Sequence, residues 1–267
     1  MKKVRLYWWT PKQYSKFTIL GRLNGEYYRY KGIPANFGDE LSAFIVSNVL
    51  KTTVDLAPKN EKGKLLGIGS ILHQAQDKDI TWGSGINGKY VNRKVKAKDL
   101  NILSVRGPLT QNYLKECDYS VPDIFGDPAV LTPLFYNPKE QSSKKSVAYV
   151  PHFSELKDLD VSKGIPVINP TKPYKEVIDD IYNTKLILSS SLHGVILAEA
   201  YGIPAVLIRR NENEPIFKYK DYYLGTGRQD LYFAKSIEEG LKIEPMSGFK
   251  SDNQAIISAL TNWYNDY

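Results

Sequence analysis

One cysteine, Cys117, stands in a chain of 267 residues. No disulfide can close within the chain, which suits a reducing compartment. Histidine is scarce too, at three. No two histidines share the i, i+4 spacing of a zinc helix and no cysteines cluster, so no protein-held metal is expected. No apolar run approaches the ~20 residues of a membrane span. The basic start Met1-Lys2-Lys3-Val4-Arg5 leads into a run too short and aromatic for a signal peptide. Together these absences predict a cytoplasmic protein. Also missing are a G-x-G-x-x-G with its acidic follower, a Walker A sequence and a G-x-S-x-G nucleophile elbow.

What is present is an ordinary globular composition, long enough for a real core. Basic residues outnumber acidic ones 36 to 29, a net charge of +7. The positive charges are spread out, so nucleic acid is not an expected partner. The densest run, Arg93-Lys94-Val95-Lys96-Ala97-Lys98, reads as a solvated face. If it has a function, the first choice is an anionic membrane surface, which makes the protein peripheral on the inner face of the membrane.

Apolar runs ending in small residues recur along the chain. Val4 to Trp9 reads as a strand, and residues 10–35 as a long loop rich in tyrosine. Asn36 or Asp39 caps a helix through Leu50, with Leu41, Phe44, Ile45 and Val49 at helical spacing. Strands then end in Gly67-Ile68-Gly69-Ser70, in Gly83-Ser84-Gly85 and in Arg106-Gly107-Pro108, with a helix from Leu109. Phe125-Gly126-Asp127-Pro128 closes this half. A parallel sheet offers its carboxyl edge to a ligand in this way. Residues 137–145 are the best linker. A second run has strands at 146–150, 166–168, 186–188 and 205–208, a helix at 174–183, a charged aromatic loop at 211–235 and an amphipathic helix at 254–264. The expected fold is α/β, with two Rossmann-like halves facing a cleft.

The centre of the chain is Leu186-Ile187-Leu188-Ser189-Ser190-Ser191-Leu192-His193-Gly194. A buried strand stops at three serines and an apolar helix follows, closed by Gly202 and Pro204. Serine is a good N-cap. The helix N-terminus offers N–H donors and partial positive charge to an anion, and His193 adds a titratable ring in the first turn. Arg106 can grip a carboxylate or phosphate in two-pronged fashion, or pair with an acid such as Asp127. Asp127 itself reads as a base, an ion-pair partner or a turn cap. His152 ends a strand and is a site candidate, whereas His73 reads as a core or capping histidine.

In order, Asn36-Phe37-Gly38-Asp39-Glu40-Leu41, Gly67-Ile68-Gly69-Ser70, Val105-Arg106-Gly107-Pro108, Gly126-Asp127-Pro128-Ala129 and Ser190-Ser191-Leu192-His193-Gly194 resemble the polysaccharide pyruvyl transferase family. The resemblance covers about residues 30–210 and is closest to bacterial exopolysaccharide ketal pyruvyltransferases. It implies a GT-B-like fold. Residues 1–140 form an acceptor-side domain, 141–250 a donor-side domain, and 251–267 a helix crossing back to the first. It also implies transfer of pyruvate from phosphoenolpyruvate onto two hydroxyls of a sugar, presented as a lipid-linked oligosaccharide in capsule or exopolysaccharide synthesis, with no cofactor.

Carried over, His193 is the general acid, since a ring that titrates near neutrality can protonate the methylene carbon. Arg106 holds the donor's phosphate or carboxylate, and Ser190 and Ser191 add donors. Many members have arginine where this chain has Ser191. Arg209, Arg210, Arg228 or His152 are the candidates to replace it. Asn36, Asp39 and Gly69, with Tyr27, Tyr28 and Tyr30, are the acceptor-side candidates. Two other readings remain. One is a GT-B glycosyltransferase using a nucleotide sugar, for which Glu199 would be the ribose carboxylate. The other is a non-catalytic glycan binder.

Overall fold

A computed structural model describes residues 3–9, 36–156, 164–210 and 214–266. Two parallel sheets organise them. The first has five strands, in the order β2 (Val54–Leu56), β1 (Val4–Tyr7), β3 (Leu65–Leu66), β4 (Asp79–Trp82) and β5 (Leu100–Ser104). Leu6 pairs with Leu65, Leu65 with Ile80, and Thr81 with Ile102. The second has β6 (Ala148–Val150), β7 (Ile187–Ser189) and β8 (Ala205–Leu207), with Tyr149 beside Leu188 and Leu188 beside Val206. Single bridges add Val167 beside Tyr149 and Ala234 beside Ile208. The predicted strand at 166–168 thus shrinks to one bridge. β3, β4, β6, β7 and β8 are buried throughout, because a parallel sheet is covered on both faces.

The helices explain why strand ends meet at one place. α1 (Phe37–Leu50) is capped by Asn36, whose side chain accepts from the Gly38 N–H at 3.2 Å; Lys51 in the left-handed region ends it. α2 (Pro108–Lys115) has proline in its first turn, where the missing N–H costs nothing. α3 (Tyr174–Tyr182) and α4 (Leu192–Ala200) flank the second sheet. α4 is buried almost all round, as its uniformly apolar sequence requires. It packs against the 3₁₀ segment Pro128–Leu134. One apolar cluster therefore runs from Leu6 and Leu65 through Phe37 and Val130 to Val195 and Ile187.

Residues 211–235, read as loop, contain α5 (Phe217–Gly225). Its sequence has no clean apolar stripe; tertiary pairing of its polar side chains decides its conformation. α6 (Ile237–Gly240) is one turn. α7 (Asn253–Asp266) lies against the first sheet and α1, with the Trp82 indole donating to the Ile256 carbonyl at 2.7 Å. None of the described helices is long and apolar enough to cross a membrane. In the basic run, Arg93, Lys94, Lys96 and Lys98 are exposed. Its backbone is held by the hydroxyls of Tyr113 on Arg93 and Tyr119 on Ala97.

Candidate active site

A pocket of about 460 Å³ is lined from both sheets. The N-termini of α1 and α4 both reach it, through Asn36 and Asp39 on one side and Ser191, Leu192 and His193 on the other. The first N–H groups of α1 are already met by the Pro170 carbonyl and by Asn36, which leaves the N-terminus of α4 as the positive helix end that faces the pocket.

His193 is the best-framed side chain. Its ring is 12% exposed and meets Phe37 edge-on at 6.4 Å. On one edge Nε2 lies 3.7 Å from Asp127 Oδ2. Both atoms are buried and neither makes a hydrogen bond. The other edge lies on Gly38, where a Cβ would overlap Nδ1. Glycine stands at 38 for this close approach, in ordinary helical backbone. Asp127 also accepts from the Ala129 N–H at 3.0 Å, capping the 3₁₀ segment. The expectations of cap and of ion-pair partner therefore both describe Asp127, but its pair is with His193, not Arg106.

Arg106 meets a different acid. Its Nε donates to Asp221 at 3.0 Å, Nη1 to Ser70 at 2.6 Å and Nη2 to the Ile86 carbonyl at 3.1 Å. Asp221 also accepts from the N–H and hydroxyl of Thr110. Arg106 and Asp221 are both fully buried. The guanidinium is part of the pocket wall, but it positions Ser70 instead of presenting a free fork. Gly107 and Gly225 are glycines because α5 presses there: a Cβ on Gly107 would overlap the Asp221 carbonyl, and one on Gly225 the Arg106 carbonyl.

Asp39 is buried, and burial pushes its carboxyl up to about 7, against the opposing pull of His193. Gly69, at φ +111°, borders it. His152 lines the pocket; burial, then the nearby Lys218 charge, depress it to about 4. His73 is not a core histidine. It stacks on Tyr90 with centroids 4.0 Å apart at the pocket wall, and burial lowers it to about 4 as well.

The three serines divide the work. Ser189 is structural: its hydroxyl donates to the Val150 carbonyl and accepts from the Ser191 N–H. Ser190 does not line the pocket. Its oxygen accepts from the His152 N–H at 2.7 Å, donates to Glu155 at 2.8 Å and meets the Tyr149 hydroxyl. It braces His152 and has no hydroxyl left to offer a donor substrate. Ser191 is the N-cap residue by position, yet its side chain makes no cap hydrogen bond, and it lines the pocket.

Of the cations considered for position 191, Arg209 and Arg210 border an adjoining recess with Ser190 and Tyr219, which shares His152, Ser154 and Glu214 with the pocket. Arg228 is locked onto Glu199, at 2.5 and 3.0 Å, and lies over the Tyr223 ring. Glu199, also bonded by Tyr222, is thus closed to a nucleotide ribose. Among the described residues, the cations lining the pocket besides Arg106 are Lys89 and Lys218, two lysines that the sequence reading missed. Lys218, on α5, bonds Glu214 at 2.7 Å, and Lys89 bonds the other oxygen of Glu214 at 3.0 Å. Burial lowers Lys218 from its ordinary value while Glu214 pulls it back. The Glu214–Lys218 spacing of i, i+4 was the one available signal. Tyr27, Tyr28 and Tyr30 lie outside the described residues. Among the described residues, no group of three His, Cys, Asp or Glu is placed to hold a metal.

The polysaccharide pyruvyl transferase profile matches residues 36–212, from the α1 cap to just beyond Arg209-Arg210. The chain belongs to that family. Among curated relatives, it is 27% identical over 208 residues to the succinoglycan biosynthesis protein ExoV of Rhizobium meliloti, a match covering 73% of this chain and 63% of ExoV. It is 28% identical over 243 residues to an uncharacterised protein of Acanthamoeba polyphaga mimivirus, covering 84% of this chain and 83% of that one. A crystal structure of an uncharacterised Klebsiella pneumoniae protein overlaps 85% of the chain and all of its own, with a TM-score of 0.45 and 16% identity. The family span holds every strand-end motif of the pocket but stops short of Glu214, Lys218 and Asp221.

Proposed function

We propose that the chain is a ketal pyruvyltransferase, moving pyruvate from phosphoenolpyruvate onto two hydroxyls of a sugar. The observation that carries this reading is one pocket lined by His193 at a helix N-terminus and by Lys89 and Lys218, which share Glu214. Phosphoenolpyruvate carries a phosphate and a carboxylate. The α4 N-terminus and two ammonium groups suit both. Lys218 and Lys89, with the Ser191 hydroxyl and His152, are the donor contacts, in place of an arginine at 191. Arg106 supports them by fixing Ser70 in the wall.

In this reaction protonated His193 delivers its proton to the methylene carbon. The double-bond pair forms the new C–H bond, and an oxocarbenium centre develops at the next carbon. A sugar hydroxyl adds there and gives its proton to the neutral ring. Phosphate leaves with the electron pair of its C–O bond, and the second hydroxyl closes the ketal, its proton leaving with the phosphate. Asp39, with a carboxyl near 7, both donates to and accepts from acceptor hydroxyls, beside Asn36 and Gly69.

We read the architecture as GT-B-like, with residues 1–140 on the acceptor side, 141–250 on the donor side, and α7 returned to the first unit. The acceptor is a lipid-linked oligosaccharide, met by the basic run 93–98 at an anionic membrane face. The test is incubation with phosphoenolpyruvate and a panel of sugar acceptors, following phosphate and product mass. Phosphate release with a gain of pyruvate less water supports the reading. Sugar transfer from a nucleotide donor, or no turnover and no shift in melting temperature with phosphoenolpyruvate, sinks it.

A further inference from the structure

We propose that Asp127 is a positioning residue that holds His193 as the Nε2–H tautomer, leaving Nδ1 as the nitrogen that exchanges the proton with substrate. The chemistry rests on the pyruvyltransferase reading; the tautomer rests on geometry.

Asp127 is held in one orientation. Oδ1 accepts the Ala129 N–H at 3.0 Å, at the start of a 3₁₀ segment fixed by Pro128. Only Oδ2 is left, and it faces His193 Nε2 at 3.7 Å. Neither atom has another hydrogen-bond partner, and both are buried. An ionised carboxylate only accepts, so the proton between them belongs to the ring. An approach of less than 1 Å brings the pair to hydrogen-bond distance, a tightening common when a site fills. Buried polar atoms left open in a folded chain call for a reason, and a dyad that closes on its ligand supplies one.

The other nitrogen is kept clear. Nδ1 borders Gly38, and any side chain at 38 would overlap it. That contact accounts for the glycine immediately before Asp39 in this chain. With both nitrogens protonated, the ring gives up the Nδ1 proton to the methylene carbon. The N–H pair stays on Nδ1, the ring becomes neutral with its proton on Nε2, and Asp127 remains ionised. The attacking hydroxyl then returns a proton to Nδ1. Asp127 is not itself the acid; it stabilises the imidazolium and fixes the ring plane, the division of labour seen wherever a carboxylate backs a histidine.

The experiment is imidazole ¹⁵N spectroscopy of the full chain with its ring neutral, the His193 signals identified by their loss in His193→Ala. The expected result is the Nε2–H tautomer. In Asp127→Asn, the Ala129 N–H still requires Oδ1, so the amide nitrogen takes the place of Oδ2 and donates to Nε2. The ring should then switch to Nδ1–H. With phosphoenolpyruvate, kcat should fall roughly 10²–10⁴-fold while KM and the melting temperature change little. A wild-type ring with its proton on Nδ1 overturns the proposal, and so does a folded Asn variant with an unchanged tautomer. If the variant does not fold, the wild-type tautomer decides alone. The tautomer is read without substrate, so a chain inert toward phosphoenolpyruvate sinks the reaction and not this assignment.

Discussion

Two buried pairs of a basic and an acidic side chain stand at the pocket, and they are built in opposite ways. Arg106 and Asp221 are tied down at every polar side-chain atom: each guanidinium nitrogen donates one bond, and Thr110 supplies two more to the carboxylate. His193 and Asp127 face each other at 3.7 Å with open valences. A saturated buried pair is a scaffold, because every group in it is already answered and breaking it exposes a desolvated charge. An unsaturated pair keeps capacity for a proton and for a ligand. The contrast separates two motifs that look equally functional in sequence.

The sharpest break of that contrast comes from truncating the basic partner of each pair. His193→Ala should abolish turnover yet leave the denaturation midpoint nearly unchanged. Arg106→Ala should do the reverse in origin: it removes about 3–5 kcal/mol of stability, read by urea unfolding, and any lost activity should track lost fold. Equal destabilisation by the two would erase the distinction.

A smaller effect concerns Asp39, raised above its ordinary 3.8 to about 7 by burial. The folded chain prefers its neutral form. The stabilising contribution of that preference is complete below about pH 4 and is lost as pH rises through about 7. His193, Glu40, Lys218 and Asp127 bear on it. Asp39→Asn should therefore be the more stable form at pH 8, by on the order of 2–4 kcal/mol, the advantage shrinking to nothing near pH 4. Thermal melts across that range check it; a constant offset at all pH values refutes the raised value.

The smallest expected effect sharpens the donor side. Lys218→Met keeps length and burial but removes one charge. KM for phosphoenolpyruvate should rise about tenfold, about 1.4 kcal/mol, with kcat less affected. If KM is unmoved, Lys218 serves only to neutralise Glu214.

Sequence made the strand-end motifs legible because their chemistry is local. A serine or asparagine at a helix start is a cap candidate, a role Asn36 fills and the Ser191 side chain does not, and glycine marks a turn or the approach of a neighbour. His193, Asn36, Asp39, Gly69 and Ser191 were all found in that way, and the structure brings them to one pocket. Contacts distant in sequence were not legible. The acid facing Arg106 lies 115 residues on, within a stretch read as loop because Phe217 to Gly225 lacks an apolar stripe. Lys218 was missed with it. β2, three residues long, is too short to show a period. Asn36 and Asp39 were equal as caps until geometry gave the bond to Asn36 and freed Asp39 for the pocket. Ser190 was placed on the donor with the helix N-terminus and Arg209 as a substitute for an arginine at 191; in the structure both border the recess beside the pocket.

α5 reaches both sheets. Asp221 ties it to Arg106 after β5, while the Tyr219 hydroxyl bonds the Ser190 carbonyl and the Tyr222 hydroxyl bonds Glu199 on α4. It acts as a rivet through the two layers. Lys218 stands on that rivet, so its distance to His193 is set before any ligand arrives. On the pyruvyltransferase reading, Lys218 is in place before a substrate arrives, and little binding energy is drained into positioning it.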